Sequence, residues 1–242
     1  MKFLFSVLLI FFLFSCAGVQ TVVEPEPVPI EPETVLIEPD LPDPSDQVLI
    51  EPDLPEPSAL LEPPTHIMGE GKISAELLAI FLIQNNPYIE IETASDTELD
   101  FANYFARLYI QEASFEGVNH DIAFAQMCLE TGFLAFGNLV TPDQNNFAGL
   151  GATGLPLADG TPDKGLYFPD VRTGVRAHIQ HLKAYASADD LNLELVNPRR
   201  RFVTLGSSPT IDGLAGTWAA DTQYAVKIHT MLRRMYQLAD SN

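Results

Sequence analysis

The sequence predicts an α+β fold that is mainly helical, preceded by a long N-terminal extension that has no core of its own. Apolar residues recur at helical spacing in several segments after residue 66, as expected of amphipathic helices. No segment shows the alternation of a long strand, and residues 133–169 are rich in glycine and proline instead. Residues 66–242 are numerous enough to bury one sizeable core. We therefore expect one helical domain with an irregular insertion.

Residues 1–15 are predicted to be a lipoprotein signal peptide. Lys2 precedes an apolar run that suits a secretory signal and is short for a membrane span. The run ends in L-F-S-C at Cys16, which resembles the lipobox of bacterial lipoproteins; a signal peptide with a chance cysteine is the alternative. Several acyl chains on Cys16, palmitate among them, would anchor the chain stably in a membrane. Because Ala17 follows the cysteine, we expect the outer membrane, facing the periplasm, if the cell has two membranes.

Residues 16–65 are predicted to be a tether between this cysteine and the domain. Residues 17–65 hold twelve prolines, twelve acidic residues and no lysine or arginine, and the motif at 35–45 recurs at 48–58. Such a composition favours extended polyproline II, which at about 3.1 Å per residue would reach on the order of 100–150 Å. The tether thus carries more than half of the net charge of −20, and no basic patch predicts a nucleic-acid partner.

Capping residues and turn signals bound five predicted helices in the domain. They run from Ser74 to a stop at 85–87, from about Ser95–Thr97 to Glu116, from Asn119 to Glu130, from about Val171 to Tyr185, and from about Thr222 to Leu238. A short strand fits at Gly165–Phe168. Glu112 and Glu116 lie one turn apart on the second helix and are expected to form a solvated edge.

Glu130 in the last turn of the third helix is the strongest candidate for chemistry. The helix dipole opposes ionisation at this end, and water-excluding neighbours such as Phe133 and Phe136 would oppose it further. Both effects raise the pKa, as a general acid for glycosidic cleavage requires. A solvent-exposed glutamate before Gly132 is the alternative. Cys128 on the same helix is expected to be a buried apolar residue rather than a thiol nucleophile or a disulfide partner.

The sequence around Glu130 resembles the β-N-acetylglucosaminidase family of bacterial autolysins, which hydrolyse the peptidoglycan of the cell wall. The segments that carry the resemblance are G-V-N-H-D-I-A-F-A-Q-M-C-L-E-T-G-F (117–133), N-N-F-A-G-L-G-A-T-G (145–154), T-G-V-R-A-H-I-Q-H-L-K-A-Y-A (173–186), W-A-A-D-T-Q-Y-A-V-K-I (218–228) and the opening I-M-G-E-G-K-I-S-A-E-L-L (67–78). Together they span essentially all of 66–242, which is therefore the predicted glucosaminidase domain.

The resemblance implies a lysozyme-like fold, in which a helical lobe and a small β-lobe enclose a groove for the glycan. It implies cleavage of the β-1,4 bond after N-acetylglucosamine, with Glu130 protonating the leaving oxygen. The implied partner is a peptidoglycan strand, and we expect a monomer without a cofactor. The residues implied to bind substrate are Gln126, Asn146, Phe147, Gly149, Trp218, Asp221 and Tyr224. Many members carry tyrosine where this chain has Trp218, so an aromatic platform is kept but a hydroxyl is lost.

The second catalytic group stays open at this stage. An inverting mechanism needs a carboxylate about 6.5–9.5 Å from Glu130, and Asp159, Asp163 and Asp170 are the candidates. Alternatively the acetamido group of the substrate acts as the nucleophile. A lytic transglycosylase, which also depends on one glutamate, and a catalytically silent wall-binding lipoprotein are the alternative functions.

Two further groups of side chains, a histidine pair and an arginine cluster, are candidate binding sites. His178 and His181 lie three residues apart on one helix, which resembles a metal pair, but no third ligand follows at a recognisable spacing. We expect packing and hydrogen bonding there, and no metal. Arg199–Arg201 are the basic cluster of the sequence, placed either in a solvated loop or against the anionic wall polymer.

Overall fold

The computed structural model describes residues 61–86 and 98–241. Within them the fold is mainly helical, as predicted, and consists of α1 (Ala75–Asn85), α2 (Glu98–Glu116), α3 (His120–Thr131), α4 (Val171–Ala186) and α5 (Tyr224–Asp240). Short 3-10 turns lie at Pro142–Gln144, Pro198–Phe202 and Ile211–Leu214. The helix bounds agree with the predicted ones to within about two residues. The predicted signal peptide, Cys16, the tether up to residue 60 and the predicted start of α2 at Ser95–Thr97 lie outside the described residues.

The core is built around α2, which packs against both α1 and α4, while α3 packs against α5. Its centre is a cluster of buried aromatic rings in edge-to-face contact. The Phe105 ring lies 4.9 Å from that of Phe147 and 5.2 Å from that of Tyr109, and the rings of Tyr109 and Phe124 are 5.5 Å apart. Such pairs add to the free energy of apolar burial. The insertion loop that carries Phe147 is thereby joined to the helical core.

The segment between α3 and α4 is a lobe of loops. The strand predicted at Gly165–Phe168 does not form. Leu166 N–H donates to the carbonyl of Leu150, and Phe168 N–H donates to that of Gln144, but no ladder follows. The reason is local, because φ is positive at Gly149, Gly151 and Gly165. The left-handed conformation interrupts the extended backbone that a strand needs.

One glycine of α4 allows this lobe to approach the helices closely. A Cβ atom at Gly174 would lie 1.8 Å from the carbonyl oxygen of Asn145, so only glycine fits. The side chain of Asn145 donates to the carbonyl of Phe168, and that of Gln144 donates to the carbonyl of Lys164. These contacts hold the loop 145–154 at a defined position against α4.

Glu112 and Glu116 correct the prediction of a solvated edge on α2. Both are buried, because α4 crosses this face and brings basic side chains to it. Arg172 and Arg176 bind Glu112 at 2.7 and 2.8 Å, and Lys183 binds Glu116 at 2.9 Å. The periodicity of α2 alone could not reveal this, since the partners lie on a helix far along the chain.

The N-terminal end of the described chain lies along the domain. Leu61 N–H donates to Asp240 on α5, and single β-bridges join His66 to Thr210 and Met68 to Val118. Residues 61–65, which the prediction assigned to the tether, thus already contact the helices. In the part of the chain that the structure describes, no helix has the length and apolarity to cross a membrane.

Candidate active site

A left-handed turn after α3 places Glu130 at the edge of the helical core. Asn119 caps the start of the helix, and Gly132 ends it with φ 59°. Phe133 and Leu134 continue at 58° and 63°, which is strained for residues with a side chain. The strain is held by hydrogen bonds, because Phe133 N–H donates to the Cys128 carbonyl and Leu134 N–H to the Thr131 hydroxyl.

Only one of the two predicted aromatic neighbours lies beside Glu130. Phe136 lines a cavity with the carboxyl group. Phe133 turns into the core instead, where its ring lies 5.9 Å from that of Phe81. The left-handed turn is the cause, because it sends neighbouring side chains to different sides of the chain.

The two oxygens of the Glu130 carboxyl group have different surroundings. Oε1 accepts hydrogen bonds from Trp218 Nε1, at 2.9 Å, and from the hydroxyl of Tyr224. Oε2 faces Gly149, where a Cβ atom would lie 3.8 Å away. Burial raises the pKa of Glu130, and the bonds from Tyr224 and Trp218 offset part of that rise. The site therefore holds a carboxyl group with a raised pKa, in which Oε1 accepts two hydrogen bonds and Oε2 faces Gly149.

Trp218 keeps a donor as well as an aromatic surface. The sequence suggested that tryptophan in place of the usual tyrosine loses a hydroxyl at this position. In the structure its indole N–H reaches Glu130 Oε1 directly. The ring is held by the aromatic rings of His181 and Tyr185, with centroids 5.1 and 5.4 Å away.

Behind the carboxyl group a row of buried polar side chains continues into the core. Gln126 Nε2 donates to the Tyr224 hydroxyl at 2.9 Å, and Gln126 Oε1 lies 3.0 Å from His178 Nε2. His178 Nδ1 lies 3.0 Å from the hydroxyl of Tyr109. Burial lowers the pKa of His178 to about 3, so the imidazole is neutral at physiological pH.

Two cavities of about 220 and 250 Å³ meet at Glu130 and Gly149. Such concave sites are typical of ligand binding. The first is also lined by Phe136, Asn138, Leu139, Val140 and Ala152, and the second by Ala148, Leu150, Gly151, His181, Tyr185, Arg199, Trp218 and Ala219. The acid therefore stands at the middle of an elongated depression, with an aromatic side chain on each side of it.

The other predicted substrate-binding residues fall in two different places. Asn146 and Phe147 are buried, at 1 % exposure each, and support the wall from beneath. Asn146 holds both the N–H and the carbonyl of Leu150. Asp221 is exposed and binds Lys227 and the N–H of Gln223, which organises the start of α5. Their contact with substrate stays a prediction.

The three candidate second carboxylates each serve a local turn or cap. Asp159 binds Thr161, Asp163 binds Thr153 and the N–H of Gly165, and Asp170 caps α4 through the N–H of Thr173. Among the described residues that line the two cavities, Glu130 is the single carboxylate.

The two histidines of α4 are hydrogen-bonded to other side chains of the domain. His178 uses both ring nitrogens for Tyr109 and Gln126, and His181 Nδ1 lies 2.8 Å from the side-chain amide of Asn197. Within the described part of the chain no group of three His, Cys, Asp or Glu side chains converges as metal ligands. The sequence did not identify Tyr109 as part of the site, because nothing distinguishes it from the other aromatic residues of an amphipathic helix.

A mainly helical domain with one buried carboxylic acid in an open depression is an arrangement suited to glycoside hydrolysis. The model of the glucosaminidase family, described as mannosyl-glycoprotein endo-beta-N-acetylglucosaminidase, matches residues 106–237. The chain belongs to this family. It is similar to an uncharacterized protein of Borreliella burgdorferi, with 38 % identity over 176 residues, or 73 % of this chain and 79 % of that protein. No solved structure matches. The family supports a glycoside hydrolase that acts on a peptidoglycan-type glycan.

Proposed function

We propose that this protein hydrolyses the β-1,4 bond after N-acetylglucosamine in peptidoglycan, with Glu130 as the general acid. The observation that carries the proposal is the asymmetry of the carboxyl group. Oε1 is saturated by Trp218 and Tyr224, whereas Oε2 faces the cavity beside Gly149. The proton of the neutral acid therefore belongs on Oε2, from which it passes to the glycosidic oxygen as the bond to C1 breaks. The donors on Oε1 stabilise the carboxylate that remains.

The surroundings of Glu130 favour assistance by the substrate in the second half of the reaction. No other carboxylate lines the cavities within the described residues. The acetamido oxygen of N-acetylglucosamine can attack C1 while the leaving oxygen takes the proton. Glu130, now ionised, then accepts a proton from the water that opens the cyclic intermediate, which restores the acid. Asp159, Asp163 and Asp170, the candidates for an inverting reaction, bind local turns and a helix cap and do not line either cavity.

The rest of the depression suits a wall glycan. Phe136 and Trp218 offer apolar ring surfaces on opposite sides of the acid. Arg199 supplies a cation to the Trp218 side, where an acidic substituent of the wall polymer can bind. We further propose that a lipid on Cys16 anchors the chain in a membrane, the outer one if the cell has two, and that the tether carries the domain from there to the wall.

Product analysis on purified peptidoglycan tests the proposal. Glu130→Gln keeps the shape of the side chain and an oxygen for Trp218 and Tyr224, but it removes the transferable proton. We expect normal thermal unfolding and a loss of roughly 10²–10⁴-fold in the release of reducing-end N-acetylglucosamine. Full activity in this variant would end the assignment of Glu130.

One alternative reaction also fits a site with one carboxylate. A lytic transglycosylase uses a single glutamate and forms anhydro-muropeptides, which mass spectrometry of the same digests distinguishes from hydrolysis products. Binding to the wall without turnover would instead identify a catalytically silent wall-binding lipoprotein.

A further inference from the structure

The geometry points to a one-directional hydrogen-bond chain behind the acid. We propose that Tyr109, His178 and Gln126 are positioning residues. They orient the hydroxyl of Tyr224 so that it donates its hydrogen bond to Glu130 Oε1. Oε2 is then the oxygen left to carry the transferable proton. The inference rests on the proposed function of Glu130 and goes beyond it, because it assigns a positioning role to three buried residues, among them Gln126, which was predicted to bind substrate.

The direction of the chain is set first at the carboxyl group. Indole N–H can only donate, so Glu130 Oε1 accepts from Trp218 whether or not the acid is ionised. The hydroxyl of Tyr224 has a single proton. It donates to Glu130 and accepts from Gln126 Nε2 at 2.9 Å, so its proton is committed.

The other end of the chain sets the orientation of Gln126. Because Gln126 Nε2 donates to Tyr224, its Oε1 must accept, and His178 Nε2 at 3.0 Å is the donor. A neutral imidazole that donates from Nε2 has a lone pair on Nδ1. The hydroxyl of Tyr109 donates to that nitrogen at 3.0 Å. Every bond from Tyr109 to Glu130 therefore points the same way.

Reversing one member would disturb the acid at the far end. If His178 carried its proton on Nδ1, Gln126 would turn its oxygen towards Tyr224. The single hydroxyl proton of Tyr224 would then face two acceptors and leave one of them unsatisfied, which is costly in a buried site. Tyr109, His178 and Gln126 are fully buried and Tyr224 is nearly so, which keeps water from their hydrogen-bonding groups. Tyr109 thus supports the tautomer of His178 that is protonated on Nε2, because its hydroxyl donates to Nδ1.

The other titratable groups near Glu130 do not orient its carboxyl group. His181, Tyr185 and Arg199 line the same cavity, from α4 and the following loop. Burial and the charge of Arg199 lower the pKa of His181 to about 4, and burial raises that of Tyr185. Neither side chain changes its charge around neutral pH, and none of the described hydrogen bonds joins either of them to Glu130.

Nitrogen NMR of the full chain gives a direct test. The ¹⁵N shifts of His178 should show the neutral tautomer protonated on Nε2 throughout pH 5–8, and Tyr109→Phe should move the population towards the tautomer protonated on Nδ1. A wild-type protein with the proton on Nδ1 would overturn the proposal, even if the variant did not fold.

Kinetics separates positioning from simple support of the fold. In Tyr109→Phe we expect kcat on peptidoglycan to fall about fivefold, the equivalent of one hydrogen bond, with little change in KM. The alkaline limb of the pH–rate profile should move to higher pH, because ionised Glu130 loses part of its donor from Tyr224. The matched control is Tyr236→Phe, which removes another buried hydroxyl, bonded to Asp121 at 2.7 Å, outside the chain. A lower rate with an unmoved limb would mean a purely structural role.

Titration of the Glu130 carboxyl group tests the hydrogen-bond chain separately from the proposed reaction. Carbon NMR of labelled glutamate, with the Glu130 signal assigned by its loss in Glu130→Gln, reports the pKa of this group without any turnover. The pKa should be higher in Tyr109→Phe than in wild type and in Tyr236→Phe. An unchanged pKa of Glu130 would refute the proposed hydrogen-bond chain. Absence of any product from the wild-type protein, together with a raised pKa in the variant, would refute the proposed reaction alone.

Discussion

Two glutamates of the same domain show how neighbours, rather than burial, decide the behaviour of a carboxyl group. Glu116 on α2 faces Lys183 at 2.9 Å and accepts from the N–H groups of Asn192 and Leu193. Although burial raises the pKa of Glu116, these bonds and the charge of Lys183 outweigh it, so the pKa is lowered overall. Among the described residues, Glu130 on α3 accepts hydrogen bonds from the neutral donors Tyr224 and Trp218, and burial raises its pKa.

The comparison teaches what separates a structural carboxylate from an acid. In the region between α2 and α4, basic side chains bind each buried glutamate, and the pKa of Glu116 is lowered. In the region between α3 and α5, the aromatic side chains of Trp218 and Tyr224 cover Oε1 of Glu130 and supply hydrogen bonds without a positive charge. A proton on Glu130 is therefore retained to higher pH, while one oxygen stays accessible.

Removing the cation from the structural pair should give the largest effect. Lys183→Met leaves Glu116 buried with only backbone donors, and the loss of one partner of a buried pair is strongly destabilising. We expect the free energy of unfolding to fall by about 3 kcal/mol, the low end for such pairs, as measured by urea denaturation.

The double variant Lys183→Met with Glu116→Gln is the control. It removes the uncompensated charge and should regain much of the lost stability. If the single variant were as stable as wild type, the ion pair between α2 and α4 would carry no weight, and the comparison with Glu130 would fail.

Acid should act on the two regions in separate pH windows. The pKa of His178 is lowered from its ordinary value of 6.5 to about 3, so the unfolded chain binds the proton first and stability falls as the pH drops through that range. His181, lowered to about 4, acts in the same direction. The stability that Glu116 contributes is present above its ordinary pKa of 4.5 and is lost only as the pH falls through its lower folded value. Between pH 6.5 and 4.5 each of these histidines therefore lowers stability by up to about 1.4 kcal/mol per pH unit. Glu130, whose pKa is raised, acts in the opposite direction just above pH 4.5, so the share of one histidine is read from a variant that lacks it.

His178→Gln tests the assignment of that slope. Glutamine does not titrate and can still accept from Tyr109 and donate to Gln126. The slope of the free energy of unfolding against pH, above pH 4.5, should decrease by the contribution of one histidine. Urea denaturation at several pH values measures this slope. An unchanged slope would show that His178 is not buried in its neutral form.

Removing one neutral donor from Glu130 should give the smallest of these effects. Trp218→Phe keeps an aromatic ring but deletes the indole N–H that binds Oε1. We expect about a tenfold lower kcat on peptidoglycan, the equivalent of about 1.4 kcal/mol, and an alkaline limb at higher pH. Trp218→Tyr is the comparison variant, because its hydroxyl can restore a donor. Equal rates for phenylalanine and tyrosine would mean that the ring surface alone matters at this position.

Much of the fold followed from local signals in the sequence. The bounds of the helices could be predicted because Ser74, Asn119 and Gly132 act on backbone groups within a few residues of themselves. The same signals placed Glu130 in the last turn of α3, at the end where the helix dipole opposes ionisation. The sequence by itself thus determined where the acid stands on its own helix, and its motifs predicted the family.

Only the tertiary structure decided what surrounds that acid. The partners of Glu130 lie 88 and 94 residues away along the chain, and His178 lies 52 residues from Gln126. Periodicity carries no information over such separations, so Tyr109 went unnoticed and Glu112 and Glu116 were expected in solvent. The packing of α4 on α2 and of α5 on α3 brings cations to one pair of glutamates and neutral donors to Glu130. Because a carboxyl group responds to charges and donors within a few ångströms, that packing raises the pKa of Glu130 and lowers that of Glu116.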